Sequence, residues 1–258
     1  MSSAGEIRID DAAGVRHVVI HRPEKKNAFT GAMYADLAAA LAAADEAAEV
    51  RCVLLEGAGG AFTAGNDLND FAANPPRDVA SAPVFRFLHA LVAFSKPLIA
   101  AVDGAAIGIG STLLLHCDLV FASDRAKLAF PFVNLALVPE AGSSVLLAER
   151  VGAAKANEWL LLGEPIDAAE AERAGLVTKV VPQAELSAYA RARAELVATK
   201  PPEAVRLTKK LIRDPKREAT TAAITREAAA FIERLQSAEA QAMFAAFLAR
   251  SSASSPKR

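Results

Sequence analysis

Two cysteines, Cys52 and Cys117, are the only thiols in this 258-residue chain, and they stand far apart. That spacing excludes a disulfide framework and a paired-cysteine metal site, and it suits a reducing compartment. Tryptophan occurs once, and aromatic residues make up 6% of the chain. Neither sign of charge dominates, with Lys+Arg at 29 and Asp+Glu at 30. Without a basic excess there is no electrostatic footprint for nucleic acid. Charged side chains interrupt nearly every apolar run, so no transmembrane helix and no membrane partner are expected. Met1 to Glu6 lacks the basic-then-apolar pattern of a signal peptide. Ser254-Ser255-Pro256-Lys257-Arg258 ends in no peroxisomal-type tripeptide. The expectation is a cytoplasmic protein with a frayed tail from about Ser251.

What the chain does have is apolar mass. Hydrophobic residues reach 53%, enough for a large core and a subunit interface. Ile7 to Ile9 and Val15 to Ile20 flank Asp10-Asp11-Ala12-Ala13-Gly14, which predicts a hairpin. Thr30 can cap a helix whose Met33, Leu37 and Leu41 form one stripe. Val50 to Glu56, Pro97 to Val102 and Leu119 to Ala122 read as short buried strands, with helices at Pro83 to Phe94 and Gly110 to His116 between them. Strands alternating with helices predict an α/β core. Beyond Gly142 the chain turns helical: Ser143 to Arg150, Ala153 to Leu162, Ala168 to Ala174, Gln183 to Thr199, Pro201 to Arg213, and a long alanine-rich stretch from Glu218 to Phe247 with a break near Ser237. Ile224, Ala228, Phe231, Ile232 and Leu235 share one face of that stretch, a candidate for packing on a second subunit or on the chain's own core.

Three segments carry candidate chemistry. In Ala61-Phe62-Thr63-Ala64-Gly65-Asn66-Asp67-Leu68, a small residue before glycine lets a ligand approach the backbone, and Asp67-Leu68 resembles a helix start that attracts an anionic oxygen. Asp103-Gly104-Ala105-Ala106-Ile107-Gly108-Ile109-Gly110 does not have the spacing of a dinucleotide fingerprint. It permits a tight turn into a helix, with the N–H of Ile109 exposed as a donor. Glu140, in Val138-Pro139-Glu140-Ala141-Gly142-Ser143-Ser144, follows an apolar run from Phe130 to Val138. Burial there raises a carboxyl pKa, as a catalytic base needs, whereas a helix-start glutamate facing water is the alternative. His116 and Cys117 read as core or interface, and Ser143 and Ser144 as helix-capping residues. Lys25 and Lys26 stand on a loop as candidates for phosphate contact or as solvated lysines.

Taken in order, these segments resemble the crotonase, or enoyl-CoA hydratase/isomerase, superfamily. The resemblance starts at His21-Arg22-Pro23-Glu24-Lys25-Lys26-Asn27-Ala28, which matches an R-P-x-x-x-N-A motif. It continues through Phe62 to Leu68, Lys96 to Gly104, Cys117-Asp118, Ala174 to Val177 and Ala246-Phe247. It implies an α/β fold, a spiral of ββα repeats over residues 1–199, followed by a C-terminal helical trimerisation region over 200–258. It also implies an acyl-CoA thioester as partner, no metal or other cofactor, and a homotrimer or hexamer. The oxyanion donors fall on the N–H groups of Ala64 and Ile109. Ala64, Gly65, Asn66, Asp67, Leu68, Gly108 and Phe132 fall around the substrate, and Lys25, Lys26 and Ala28 around CoA.

Departures from the family pattern set the subtype. Where hydratases carry two glutamates, this chain has Thr112 and Phe132. Glu140 falls where Δ3,Δ2-enoyl-CoA isomerases keep a single acid, and Pro131 to Glu140 is similar to their P-F-x-N-L-x-L-x-x-E run. Ala242-Met243 replaces a Glu-Gly pair common in the last helix. The resemblance therefore implies an isomerase with Glu140 as catalytic acid–base. A hydratase, another CoA thioester reaction, and a silent acyl-CoA binder are the alternatives.

Overall fold

The computed structural model describes residues 5–75, 78 and 82–253. The opening residues 1–4 and the tail 254–258, on which the targeting expectations partly rest, lie outside the described residues. The elements in chain order are β1 (Glu6–Ala12), β2 (Val15–His21), α1 (Gly31–Glu46), β3 (Cys52–Gly57), α2 (Leu68–Ala73), α3 (Pro83–Ala93), β4 (Leu98–Val102), β5 (Ala105–Ile107), α4 (Ile109–Thr112), β6 (Leu119–Ser123) and β7 (Lys127–Ala129). They continue with α5 (Ser143–Val151), α6 (Ala153–Leu162), β8 (Ile166–Asp167), α7 (Ala168–Arg173), β9 (Lys179–Val181), α8 (Leu186–Ala198), α9 (Pro202–Leu235) and α10 (Ala238–Ala253).

The expected hairpin is β1–β2, and the Thr30 side chain caps α1 by accepting the N–H of Met33. A larger sheet runs β1-β2-β3-β4-β6-β9, parallel from β2 onward. A smaller sheet runs β5-β7-β8. Each turn of the chain therefore lays one strand in the large sheet and the next in the small one: β4 then β5, β6 then β7. Single parallel bridges, Phe29 with Asn66 and Thr63 with Ala106, carry the small layer back to the earlier turn. That stacking brings the loops at Ala64 and Gly108 side by side. The strands of β3 and β4 are buried on both faces, which is why they read as unbroken apolar runs.

Two expectations are corrected. The stretches Pro201 to Arg213 and Glu218 to Phe247 are not separate helices; α9 runs through Pro215, and the break comes at Gln236-Ser237. Pro215 offers no N–H to the carbonyl four residues back, but Leu211 is 77% exposed, so water reaches that turn. The apolar face of α9 packs inside its own chain: Ile224, Ala228, Phe231 and Leu235 are all buried here. Helix α10 continues to Ala253, beyond the point where a frayed tail was expected to begin. Among the described residues no helix is long and apolar enough to cross a membrane.

Candidate active site

A cavity of about 510 Å³ opens between the two glycine loops and the C-terminal helices. Lys25, Ala28, Ala64, Gly65, Asn66, Asp67, Leu68, Gly108, Ile109 and Phe132 all line it, so the residues expected around substrate, thioester and CoA come together. Lys26 and Glu140 do not line it. Phe231, Phe244 and Phe247, from α9 and α10 of the same chain, close one side.

The first loop is held by the Arg22 to Ala28 motif. Arg22 is buried and donates to Asp67 at 2.6 Å and to the Ala28 carbonyl at 3.1 Å. Asn27 accepts the N–H of Arg22 and donates to the carbonyls of Ala58 and Ala61. Burial pushes the Asp67 carboxyl up, but Arg22 and the N–H groups of Asp70 and Asn69 hold it below its ordinary value. A carboxylate thus caps α2 and ties it to the motif. Gly65 adopts φ 89°, and a Cβ there would sit 2.7 Å from the Ile107 carbonyl oxygen. Only glycine lets the two loops approach this closely.

The loop's amides decide which of them can meet a ligand. The N–H of Ala64 donates to the Lys26 carbonyl at 2.9 Å, that of Gly65 to the Thr63 hydroxyl at 3.1 Å, and that of Asp67 to the Phe29 carbonyl at 2.9 Å. Among the described residues, no protein acceptor takes the N–H of Asn66 or of Ile109, the first residue of α4. Ala64 as an oxyanion donor is therefore corrected: its amide already has a partner, and the open amide on this loop belongs to Asn66. The Tyr34 hydroxyl donates to Asn66 Oδ1 at 2.5 Å and steadies that residue.

Glu140 lies behind the cavity wall, buried at 9% exposure. Thr112, one turn beyond Ile109, donates its hydroxyl to Glu140 Oε1 at 2.5 Å. Burial pushes the Glu140 carboxyl up to about 8, against a smaller lowering by Thr112, with the Glu227 charge adding to the rise. The water-facing alternative for Glu140 does not hold. Thr112, read from sequence only as a missing acid, is the donor that orients the remaining one. His116 is core, as expected. Burial lowers it to about 4, and its Nε2 pairs with the Ala141 carbonyl at 2.8 Å. The serines do not cap α5: the Ser143 hydroxyl is buried with no partner among the described residues. Glu227 performs that role from α9, as described below. Its sequence signal is a lone carboxylate on an apolar stripe, between Ile224 and Phe231.

The sequence pattern of the Enoyl-CoA hydratase/isomerase family matches residues 10–254. The chain belongs to the enoyl-CoA hydratase/isomerase family. Its fold is the crotonase fold: the crystal structure of an enoyl-CoA hydratase/isomerase from Pseudoalteromonas atlantica superposes with a TM-score of 0.91 at 43% identity, over 95% of this chain and 97% of that one. Enoyl-CoA delta isomerase 2 of Rattus norvegicus is 40% identical over 217 residues, 82% of this chain. The chain spans only 55% of that relative's length. A Mycobacterium bovis protein named "Probable enoyl-CoA hydratase echA8" is 34% identical over 203 residues, 79% of this chain and 78% of that protein. Relatives named for both reactions are thus similar to this chain.

Proposed function

We propose that this chain is a Δ3,Δ2-enoyl-CoA isomerase. The observation that carries the reading is a buried carboxyl, Glu140, with a raised pKa and a hydrogen bond from Thr112, one helical turn beyond the open amide of Ile109. The thioester oxygen of a 3-enoyl-CoA sits between the N–H groups of Asn66 and Ile109. Ionised Glu140 removes a proton from C2. The electrons delocalise into a dienolate, whose oxygen the two amides stabilise, each by about 2.7–4 kcal/mol in comparable sites. Protonated Glu140 then returns the proton at C4, giving the 2-enoyl-CoA. One acid suffices because the same group takes and gives the proton. Water addition ordinarily uses two acids, and Thr112 and Phe132 stand where the pair would be.

Apolar lining by Leu135, Leu137, Phe132 and Phe231 suits an acyl chain, and the exposed Lys25 in the lining, with exposed Lys26 next to it in the chain, suits the CoA phosphates. Assembly as a homotrimer or hexamer belongs to the same reading. Its support is the apolar side chains left exposed on α6 and α9, Leu161, Leu162, Leu207, Leu211 and Ile212, rather than the buried Phe231 and Phe244.

A paired assay on the purified protein tests the reaction. The expected outcome is isomerisation of 3-enoyl-CoA at least about 10²-fold faster than hydration of 2-enoyl-CoA, the scale of one missing acid–base group. Equal rates overturn the isomerase in favour of a hydratase, and acyl-CoA binding without either reaction overturns it in favour of a silent binder.

A further inference from the structure

Glu227 lies in the last third of α9, on the stripe that carries Ile224, Ala228 and Phe231 into the core. A carboxylate in that position must find partners. It finds them more than eighty residues upstream, in the turn that follows Glu140. Its Oε2 accepts the N–H of Gly142 at 2.6 Å. Its Oε1 accepts the N–H of Ser144 at 2.9 Å and the Ser144 hydroxyl at 2.5 Å. Burial holds the Glu227 carboxyl above its ordinary value, and the donors that meet both oxygens work against that rise in favour of the ionised form.

The turn needs holding. Ala141, immediately after Glu140, adopts φ 61°, the left-handed region that an L side chain disfavours. Gly142 follows at φ 75°. On the other side, the neutral His116 ring donates to the Ala141 carbonyl. Two side chains from distant elements thus grip the two sides of the Ala141–Gly142 peptide group, directly after the base.

We propose that Glu227 is a positioning residue for Glu140: it fixes the turn that presents the base and sets a second negative charge near it, so that helix α9 controls both the aim and the working pH range of the site. This rests on Glu140 being the base. The groups facing the pair are few. Tyr34 approaches Glu140 from α1 and Thr112 from α4, and Arg226 stands beside Glu227 on α9. Arg150, Lys209 and Arg213 act on His116 from the far side. Of these, Glu227 is the like charge that pushes Glu140 up, beyond the larger effect of burial.

The test compares Glu227→Gln, Ser144→Ala and Glu140→Gln in the full chain, with 3-enoyl-CoA as substrate. In Glu227→Gln an NH2 faces an N–H and the charge is gone. The expected result is a kcat lower by about 10-fold or more, a KM within about twofold, and an acid limb of kcat/KM moved to lower pH by about half a unit or more. Ser144 is exposed, so Ser144→Ala folds even where Glu227→Gln does not. Losing that hydroxyl leaves Glu227 less ionised, so the acid limb moves the same way by less. An acid limb unmoved in Ser144→Ala, and in Glu227→Gln where it folds, overturns the proposal, even if Tm falls. Glu140→Gln separates the two levels. Wild-type turnover in that variant overturns the base assignment itself. An inactive Glu140→Gln beside unshifted Glu227→Gln and Ser144→Ala overturns only the role of Glu227.

Discussion

Two hollows of nearly equal size lie among the described residues, and they differ in whether their hydrogen-bonding groups are met. The cavity of about 510 Å³ beneath the glycine loops exposes two amides without protein acceptors, with a buried carboxyl behind its wall. The groove of about 530 Å³ between α3, α5 and α9 is lined by seven cations, including Arg150, Lys209, Arg213 and Lys216, and looks at first like an anion site. Yet its charges are already answered. Arg150 and Arg213 donate to the carbonyls of Leu115, His116 and Cys117, capping the short helical turn that ends at His116. Lys209 and Arg213 meet Asp118 at 2.9 and 3.0 Å, and Lys216 meets Glu149 at 2.8 Å. Volume and charge therefore do not mark the site. Open hydrogen-bonding capacity next to a titratable group does.

The comparison breaks most directly at Glu140. Glu140→Gln keeps the shape and removes the base, so isomerase kcat should fall by at least about 10², measured by steady-state kinetics with acyl-CoA binding retained. The same variant carries a stability signature. A carboxyl raised from 4.5 to about 8 in the fold contributes stability that is fully present below about pH 4.5 and lost as pH rises through about 8. Glu140→Gln lacks that loss. Its unfolding free energy should match wild type near pH 4.5 and pull ahead between pH 5 and 8, by on the order of a few kcal/mol, with Tm following in the same direction. Coincident Tm curves would mean that Glu140 is not held neutral by burial.

Gly65→Ala tests the amide side of the cavity. The new Cβ meets the Ile107 carbonyl at 2.7 Å, in a backbone region that alanine resists. The loop must shift and carry the Asn66 N–H with it. A fall in kcat of about 10-fold or more is expected, since one oxyanion donor is worth roughly 10²–10³ when lost outright. Asp118→Asn tests the groove. It weakens the attachment of Lys209 and Arg213 while leaving the cavity untouched, so unfolding midpoints should report a loss of about 1–3 kcal/mol. Activity at 25 °C should stay within about twofold. A large loss of kcat in Asp118→Asn would show that the groove belongs to the reaction after all.

The sequence was most legible where the physics is local. The Thr30 cap, the β1–β2 hairpin, the buried run at β4 and the tight turn into α4, which starts one residue before the expected Gly110, each depend on a few neighbouring residues. Glu140 was legible because its apolar surroundings from Phe130 to Val138 are contiguous. Strands β5, β7 and β8 were not, since two or three residues are too short for any periodicity. The exchange of Ala64 for Asn66 was hidden for a different reason. Which amide on a loop stays open depends on the Lys26 and Phe29 carbonyls, which lie more than thirty residues upstream. Glu227 is the extreme case: the turn it holds is over eighty residues away, and only its odd place on an apolar stripe hints at a partner.

The smallest expected effect is the sharpest probe of that long-range control. Thr112 and Glu227 act on the same carboxyl with opposite sign: the Thr112 hydroxyl stabilises the ionised form of Glu140, and the Glu227 charge opposes it. Thr112→Val keeps the volume of a fully buried side chain and deletes only the donor. Glu140 should then ionise at higher pH, moving the acid limb of kcat/KM upward by up to about one unit, with the alkaline plateau little changed. Glu227→Gln should move the limb downward, and the double variant should return it towards the wild-type position, if the two effects are independent. A Thr112→Val limb that stays in place would mean the hydroxyl only fills space. A limb that moves down would mean the loss of packing has let water reach Glu140, and burial, not the hydrogen bond, would then be what tunes the base.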